Sequence, residues 1–297
     1  MRFAVSLLSV MLSLSSTVAA FDQDRAFALL EAQCAFGPRN PNSDGHRMCG
    51  DFLVREMGFW TDTVWTQPFT YVSQDTKDTL ELRNIVSQFN VQQKDRVILC
   101  AHWDTRPMAD RDPNPANRHL PILGANDAAS GVAVLIEVAR QLHLQRVDIG
   151  VDIVFFDGED YGREGVLEDY LIGSKHYVSR LAEPRPRFGV LLDMVGDREL
   201  RIPIEGNSWY YAKPIVDKII AAAQRQKVSR IENRPGAPVM DDHVPFLEAG
   251  IPVIDLIDMD YAYWHTLQDT PANCSKYSLG DVGRTVLDML RHEEIQK

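Results

Sequence analysis

Cysteine is scarce in this sequence: there are four, Cys34, Cys49, Cys100 and Cys274, and no two form a C-x-x-C pair. That disfavours a thiolate zinc site and dithiol redox chemistry. Positive charge is in deficit too, with 31 Lys and Arg against 42 Asp and Glu, a net charge of −11. A surface of that sign repels phosphate backbones, so nucleic acid is not an expected partner. It better suits a cationic group such as a peptide N-terminus. Internal repeats and low-complexity linkers are missing. So are the G-x-S-x-G elbow, the G-x-G-x-x-G and G-x-x-x-x-G-K phosphate loops, and H-E-x-x-H. The common serine hydrolase, dinucleotide, P-loop and zincin routes therefore lack their markers.

Long apolar runs are also lacking after residue 20. The first twenty residues hold Arg2, the apolar core FAVSLLSVMLSL, and SSTVAA with Val18 and Ala20 ahead of Phe21. This reads as a secretory signal peptide over residues 1–20. The competing reading, an uncleaved anchor, is disfavoured because the run is shorter than the roughly 20 residues that span a bilayer. The expectation is a secreted or periplasmic protein, without stable membrane insertion after cleavage. Length allows up to about two domains in residues 21–297, although an open α/β sheet of this size often forms one unit. An oxidising compartment permits disulfides. Cys34 and Cys49 flank the turn GPRNPNSDG and are a candidate pair, although four cysteines admit three full pairings.

What remains is ordinary globular composition, 45% hydrophobic and 25% charged. Helical spacing marks residues 22–36, 43–58, 130–144, 210–228 and 278 to the C-terminus. Residues 79–89 alternate like a half-buried strand. RVILC (96–100), DIVFFD (152–157), FGVLLDMV (188–195) and IPVIDLI (251–257) are short apolar runs of buried-strand type. Strands alternating with helices predict an α/β fold: a mixed, mostly parallel β-sheet sandwiched between α-helices.

The polar residues of interest follow those strand runs. They are His102 and Asp104, Asp127, Glu159 and Asp160, Asp193, the group Asp241, Asp242 and His243, and His265. Ligands of open α/β sheets bind at the carboxyl ends of strands. Imidazoles and carboxylates without thiolates suit a catalytic zinc with an open position. Each residue has a plainer alternative. His102 reads as a turn histidine, Asp127 as the N-cap of the following helix, and Glu159–Asp160 as a solvated loop. Asp241–Asp242 could serve a helix starting near His243, and His265 could be an ordinary loop residue. Those alternatives would have to hold together at every strand end.

The segments LCAHWDTRP (99–107), GANDAASGVAVLIEVAR (124–140), FFDGEDYG (155–162), LLDMVGD (191–197), DDHVPFLEAGIPVI (241–254) and YWHTLQDT (263–270) occur in order. Together they resemble the zinc-dependent exopeptidase superfamily, which contains the bacterial leucyl-type aminopeptidases and the animal-type glutaminyl cyclases. The resemblance implies one domain. For a two-zinc aminopeptidase it implies Asp127 as bridge, Asp160 and His265 on one metal, and His102 and Asp193 on the other. For a cyclase it implies one Zn2+ per chain on Asp127, Asp160 and His265. FFDGED, the doubled acid of DDHVPF, the aromatic in WHT and the HWD after the first buried strand all favour the cyclase. That reading makes Glu159, Asp193 and Asp241 catalytic and places Trp264, Asp242 and His102 at the substrate. The substrate is then a peptide or protein with N-terminal Gln, converted to pyroglutamate with release of ammonia. Two positions depart from the pattern. Asp160 stands where Glu is commoner, and YGREGVLEDYLIGS lacks the tryptophan of the mammalian loop. The runner-up is a di-zinc aminopeptidase, and a binding module without catalysis is a third reading.

Overall fold

The computed structural model describes residues 20–294. The proposed signal segment lies outside the described residues apart from Ala20. Among the described residues no helix is long and apolar enough to cross a membrane.

The chain opens with two helices, α1 (Gln23–Cys34) and α2 (Asp44–Trp60). Asp22 caps the first by accepting the Arg25 N–H at 3.0 Å, and Ser43 caps the second through the His46 N–H at 3.0 Å. Four strands and a helix follow: β1 (Thr63–Val72), β2 (Thr79–Phe89), β3 (Arg96–His102), α3 (Ala129–Leu144) and β4 (Gly150–Phe156). The second half holds α4 (Ile172–Val178), β5 (Gly189–Asp193), β6 (Ile202–Ile204), α5 (Gly206–Tyr211), α6 (Lys213–Arg225) and β7 (Ile231–Pro235). It closes with α7 (Val244–Glu248), β8 (Val253–Ile257) and α8 (Lys276–Arg291).

Six strands form one sheet in the order β1-β2-β4-β3-β5-β8. The β1–β2 and β2–β4 pairs are antiparallel; β4–β3, β3–β5 and β5–β8 are parallel. β6 and β7 make a separate parallel pair. Strand periodicity divides the core in two. Val97, Leu99 and Ala101 of β3 and Val151, Ile153 and Phe155 of β4 join α1, α3, α6 and α8 on one face. Ile98, Cys100, Val154 and Phe156 face the other way, with Tyr177 of α4 and Phe246 of α7. Both faces are covered, so these strands read as continuous apolar runs. The architecture is the expected one, a mixed and mostly parallel sheet between helices.

Several local expectations needed correction. The helix expected over 210–228 is two helices that break at Ala212, with Pro214 in the first turn of α6. The strand expected to run to Val195 stops at Asp193, because Met194 adopts a φ of +46° that no strand tolerates. Asp127 caps nothing: the N-cap of α3 is Ala128, with no side-chain bond. The candidate Cys34–Cys49 bridge is not made, and all four cysteines are free and buried. Burial pushes the Cys34 thiol up to about 11 and the Cys49 thiol up to about 12, against the pull of Arg39. The thiolate that would start disulfide exchange is thereby scarce.

Gly131, in the first turn of α3, sets how closely that helix lies on the sheet. A Cβ there would collide with the carbonyl oxygen of Leu192 and stand 3.1 Å from Ala101 Cβ. Gly131→Ala is expected to lower stability by about 1–3 kcal/mol, the usual cost of overpacking. Urea unfolding midpoints check this; an unchanged midpoint would show that α3 has room to move.

Candidate active site

Three parallel strands bring the chemistry to one edge. β3 ends at His102, which pairs in register with Phe156 at the end of β4. Glu159 and Asp160 follow three and four residues later. β5 ends at Asp193, opposite Ile257 of β8. Two buried carboxylates fix the loops that carry the other groups. Asp104 accepts the backbone N–H groups of Glu159 at 3.1 Å and Asp160 at 3.4 Å. Asp269 accepts those of Asn126 at 2.8 Å and Asp127 at 3.1 Å, and the Tyr261 hydroxyl donates to it at 2.9 Å. The loop before α3 and the loop after β8 are thus tied together, which brings Asp127 to His265. His265 itself sits at φ +56°, in the left-handed region. A non-glycine residue held there is strained, and such strain persists where surrounding structure over-determines it.

The side chains converge on two donor sets that share Asp127. In the first, His265 Nε2 lies 3.3 Å from Asp160 Oδ2 and 3.6 Å from Asp127 Oδ2. In the second, His102 Nε2 lies 3.1 Å from Asp127 Oδ1 and 3.2 Å from Asp193 Oδ1. Within each set the donor atoms lie within 4.8 Å of one another, and every residue is buried. Asp160 Oδ2 is buried and has no hydrogen-bond partner. A carboxylate oxygen left in that state calls for a cation. The donors are imidazole and carboxylate only, so the site has the chemistry of a borderline divalent ion.

The electrostatics of the site agree with this. Burial, and then the charge of Asp160, push Asp127 above the usual carboxylate range. Burial lifts Glu159 well above it, opposed by His102. Burial together with Asp193 carries Asp241 to about 7, and burial with Asp241 lifts Asp242 well above its ordinary value. Asp160 is the exception: despite burial, Arg106 and His265 hold it below its usual value.

A cavity of about 360 Å³ opens over the site. Asp127, Glu159, Asp160, Asp193, Asp241, Trp264 and His265 all line it. Trp264 packs its ring against His265, with centroids 4.0 Å apart, and Arg111 covers its other side at 5.5 Å. His102 and Asp242, expected at the substrate, are 1% and 0% exposed and are not among the residues that line the cavity. The polar atoms there face other protein atoms. A third group, Asp241, His243 and Asp255, lies within the same 4.8 Å reach, with His243 Nε2 3.1 Å from Glu205 Oε2. His243 and Asp255 are fully enclosed, while Asp241 also lines the cavity.

Sequence reading missed Arg106 and Asp110, which line the cavity, and the roles of Asp269 and Tyr261. Arg106 and Asp269 stand inside segments that had been singled out, LCAHWDTRP and YWHTLQDT. An arginine four residues after a strand-end histidine was the available signal.

Residues 84–290 match the model of peptidase family M28. The chain belongs to this family. It is 26% identical over 248 residues to the glutaminyl-peptide cyclotransferase of Bos taurus, covering 72% of this chain and 67% of that one. Among solved structures it resembles the glutaminyl cyclase of Bacteroides thetaiotaomicron, there bound to N-acetylhistamine. The TM-score is 0.90 at 36% identity, over 94% of this chain and 100% of that one. A structure described as a leucine aminopeptidase precursor from Bacteroides thetaiotaomicron VPI-5482 is equally similar, with a TM-score of 0.91 at 36% identity. That match covers 94% of this chain and 99% of that one.

Proposed function

We propose that this M28 member is a zinc-dependent glutaminyl-peptide cyclotransferase, which closes an N-terminal glutamine to pyroglutamate and releases ammonia. The observation that carries the reading is the Asp127–Asp160–His265 donor set beside Glu159 in one cavity, in a chain 36% identical to a glutaminyl cyclase along nearly its whole length. Asp127, Asp160 and His265 would hold the ion; when bound, zinc supplies a Lewis acid for the γ-carbonyl of the glutamine.

The chain's own residues do the rest. The substrate's α-amine attacks its own γ-carbonyl carbon, so a C–N bond forms and the bond to the side-chain nitrogen breaks. Glu159 takes the proton from the attacking amine and returns one to the departing nitrogen, which leaves as ammonia. Its side chain is 13% exposed, at the border between cavity and core. Asp193 and Asp241 would hold the γ-amide nitrogen. Burial and the neighbouring Asp193 push Asp241 up to about 7, since adjacent buried carboxylates do not both ionise cheaply. Trp264 walls the cavity and excludes water, which would otherwise hydrolyse the amide.

The chain would act outside the cytoplasm. The Arg2–Ala20 segment supports removal ahead of Phe21. An intact mass beginning at Phe21, measured on protein secreted from its host, checks this; a retained Met1 refutes it.

Metal content separates the cyclase from the di-zinc aminopeptidase. The cyclase holds near one zinc per chain. His265→Ala should then lose most of it, and His102→Ala little; equal loss in both favours the aminopeptidase. Glu159→Gln keeps size and hydrogen-bonding capacity but cannot accept the amine's proton. Turnover with a Gln-peptide is expected to fall by at least about a hundredfold, in line with general-base contributions, with zinc retained. Near-normal ammonia release by the zinc-loaded variant would take the role from Glu159.

A further inference from the structure

Arg106 is 1% exposed and spends every guanidinium nitrogen on the site. Its Nε and Nη2 form a two-pronged bond to Asp110, at 2.9 Å to Oδ1 and 2.7 Å to Oδ2. Nη1 donates to Asp160 Oδ1 at 2.5 Å, and Nη2 reaches the Tyr170 hydroxyl at 3.2 Å. Asp110 in turn places Oδ1 3.3 Å from His265 Nδ1. One arginine thus touches Asp160 directly and His265 through a single carboxylate.

The consequence is directional. With Oδ1 occupied by Arg106, Asp160 presents only Oδ2, which makes no hydrogen bond. With Nδ1 facing Asp110, His265 presents only Nε2. Those two atoms face each other at 3.3 Å and share Asp127 as neighbour, its Oδ2 3.6 Å from His265 Nε2. The paired charges of Arg106 and Asp110 cancel, so the pair orients donors without adding net positive charge beside a cation site. The neighbouring donor set is held more loosely from behind. His102 Nδ1 stands 3.6 Å from Asp104, against 3.3 Å for His265 Nδ1 and Asp110, and Asp104 is spent on the backbone N–H groups of Glu159 and Asp160 instead of on an arginine fork.

We propose that Arg106 and Asp110 form a neutral clamp that presets Asp160 and His265 as ligands. The clamp directs a single zinc ion to the Asp127–Asp160–His265 set in preference to His102–Asp127–Asp193. Both are positioning residues, and the inference rests on the zinc reading above. Partners that orient metal ligands are commonly worth about 10- to 100-fold in metal affinity.

The test is the zinc dissociation constant of the full chain, measured without substrate against a chromophoric chelator. Arg106→Lys keeps the charge but loses the fork, and Asp110→Ala frees His265 Nδ1. Each should weaken zinc binding about 10- to 100-fold, with kcat recovered at saturating zinc and an unchanged melting temperature of the zinc-free protein. Asp110→Asn keeps an acceptor for His265 and should retain more of the affinity than Asp110→Ala. Asp110 is partly exposed, so its variants remain informative if Arg106→Lys fails to fold. Unchanged zinc affinity in Asp110→Ala overturns the clamp, as does an Asp110→Asn loss equal to that of Asp110→Ala. Because no substrate is present, failure to cyclise a Gln-peptide would remove the cyclase reading and leave this result standing.

Discussion

Repulsion among buried carboxylates governs this molecule. Asp104, Asp127, Glu159, Asp160, Asp193, Asp241, Asp242 and Asp255 stand at or behind one end of a sheet, and all but Glu159 are less than a tenth exposed. Burying one unpaired carboxylate is expensive, and burying several together is worse. The main remedies are protons, cations, and backbone N–H donors. All three are in use. Asp104 and Asp269 are matched by N–H groups and Asp160 by Arg106, while burial and neighbouring acids push Asp241, Asp242 and Asp255 upward, toward the protonated form. Asp160 Oδ2 makes no hydrogen bond and has only the His265 ring nitrogen facing it, at 3.3 Å.

The sheet makes such crowding possible. Its parallel strands all end at the same edge, so residues far apart in sequence arrive within a few ångströms of one another. The remaining freedom lies in the loops, and it is removed by acids that accept backbone N–H groups. Asp104 orders the turn after β4, and Asp269 the loop before α3. Each is a charge used as a fastener. Because a carboxylate bonds two N–H groups at once, a single residue sets both the position of a loop and the direction of the side chain it carries.

Much of this was legible in the sequence, and the reasons for the misses are physical. β3, β4, β5 and β8 were readable because strands covered on both faces become uninterrupted apolar runs. β1 was not, since an edge strand with three Thr, a Gln and a Pro, half exposed along its length, carries little hydrophobic contrast. The break at Ala212 hid behind a helical period that continues across it. At the site, the metal-type donors were legible because His, Asp and Glu after buried strands are chemically conspicuous. Arg106, Asp110 and Asp269 were not, because their meaning lies in partners 160, 265 and 126–127, which no local pattern connects. Cys34 and Cys49 erred the other way: proximity in sequence suggested a bridge, and the structure leaves both thiols free and buried.

The enclosed group behind the cavity bears on how the front of the site works. Asp241 lines the cavity, while its neighbours Asp242, His243 and Asp255 are sealed from it. His243 faces Glu205, which four donors satisfy: the N–H groups of Asn207, Ser208 and Val239, and the Ser208 hydroxyl. Although burial alone would raise it, those bonds and His243 hold Glu205 at about 2. Its charge adds to burial, Asp241 and Asp193 in pushing Asp255 upward. Burial and Asp193 push Asp241 up as well, to about 7, and His243 pulls against them. The enclosed His243 therefore acts from behind on a carboxyl that faces the cavity, and it does so from a place no ligand in the cavity touches.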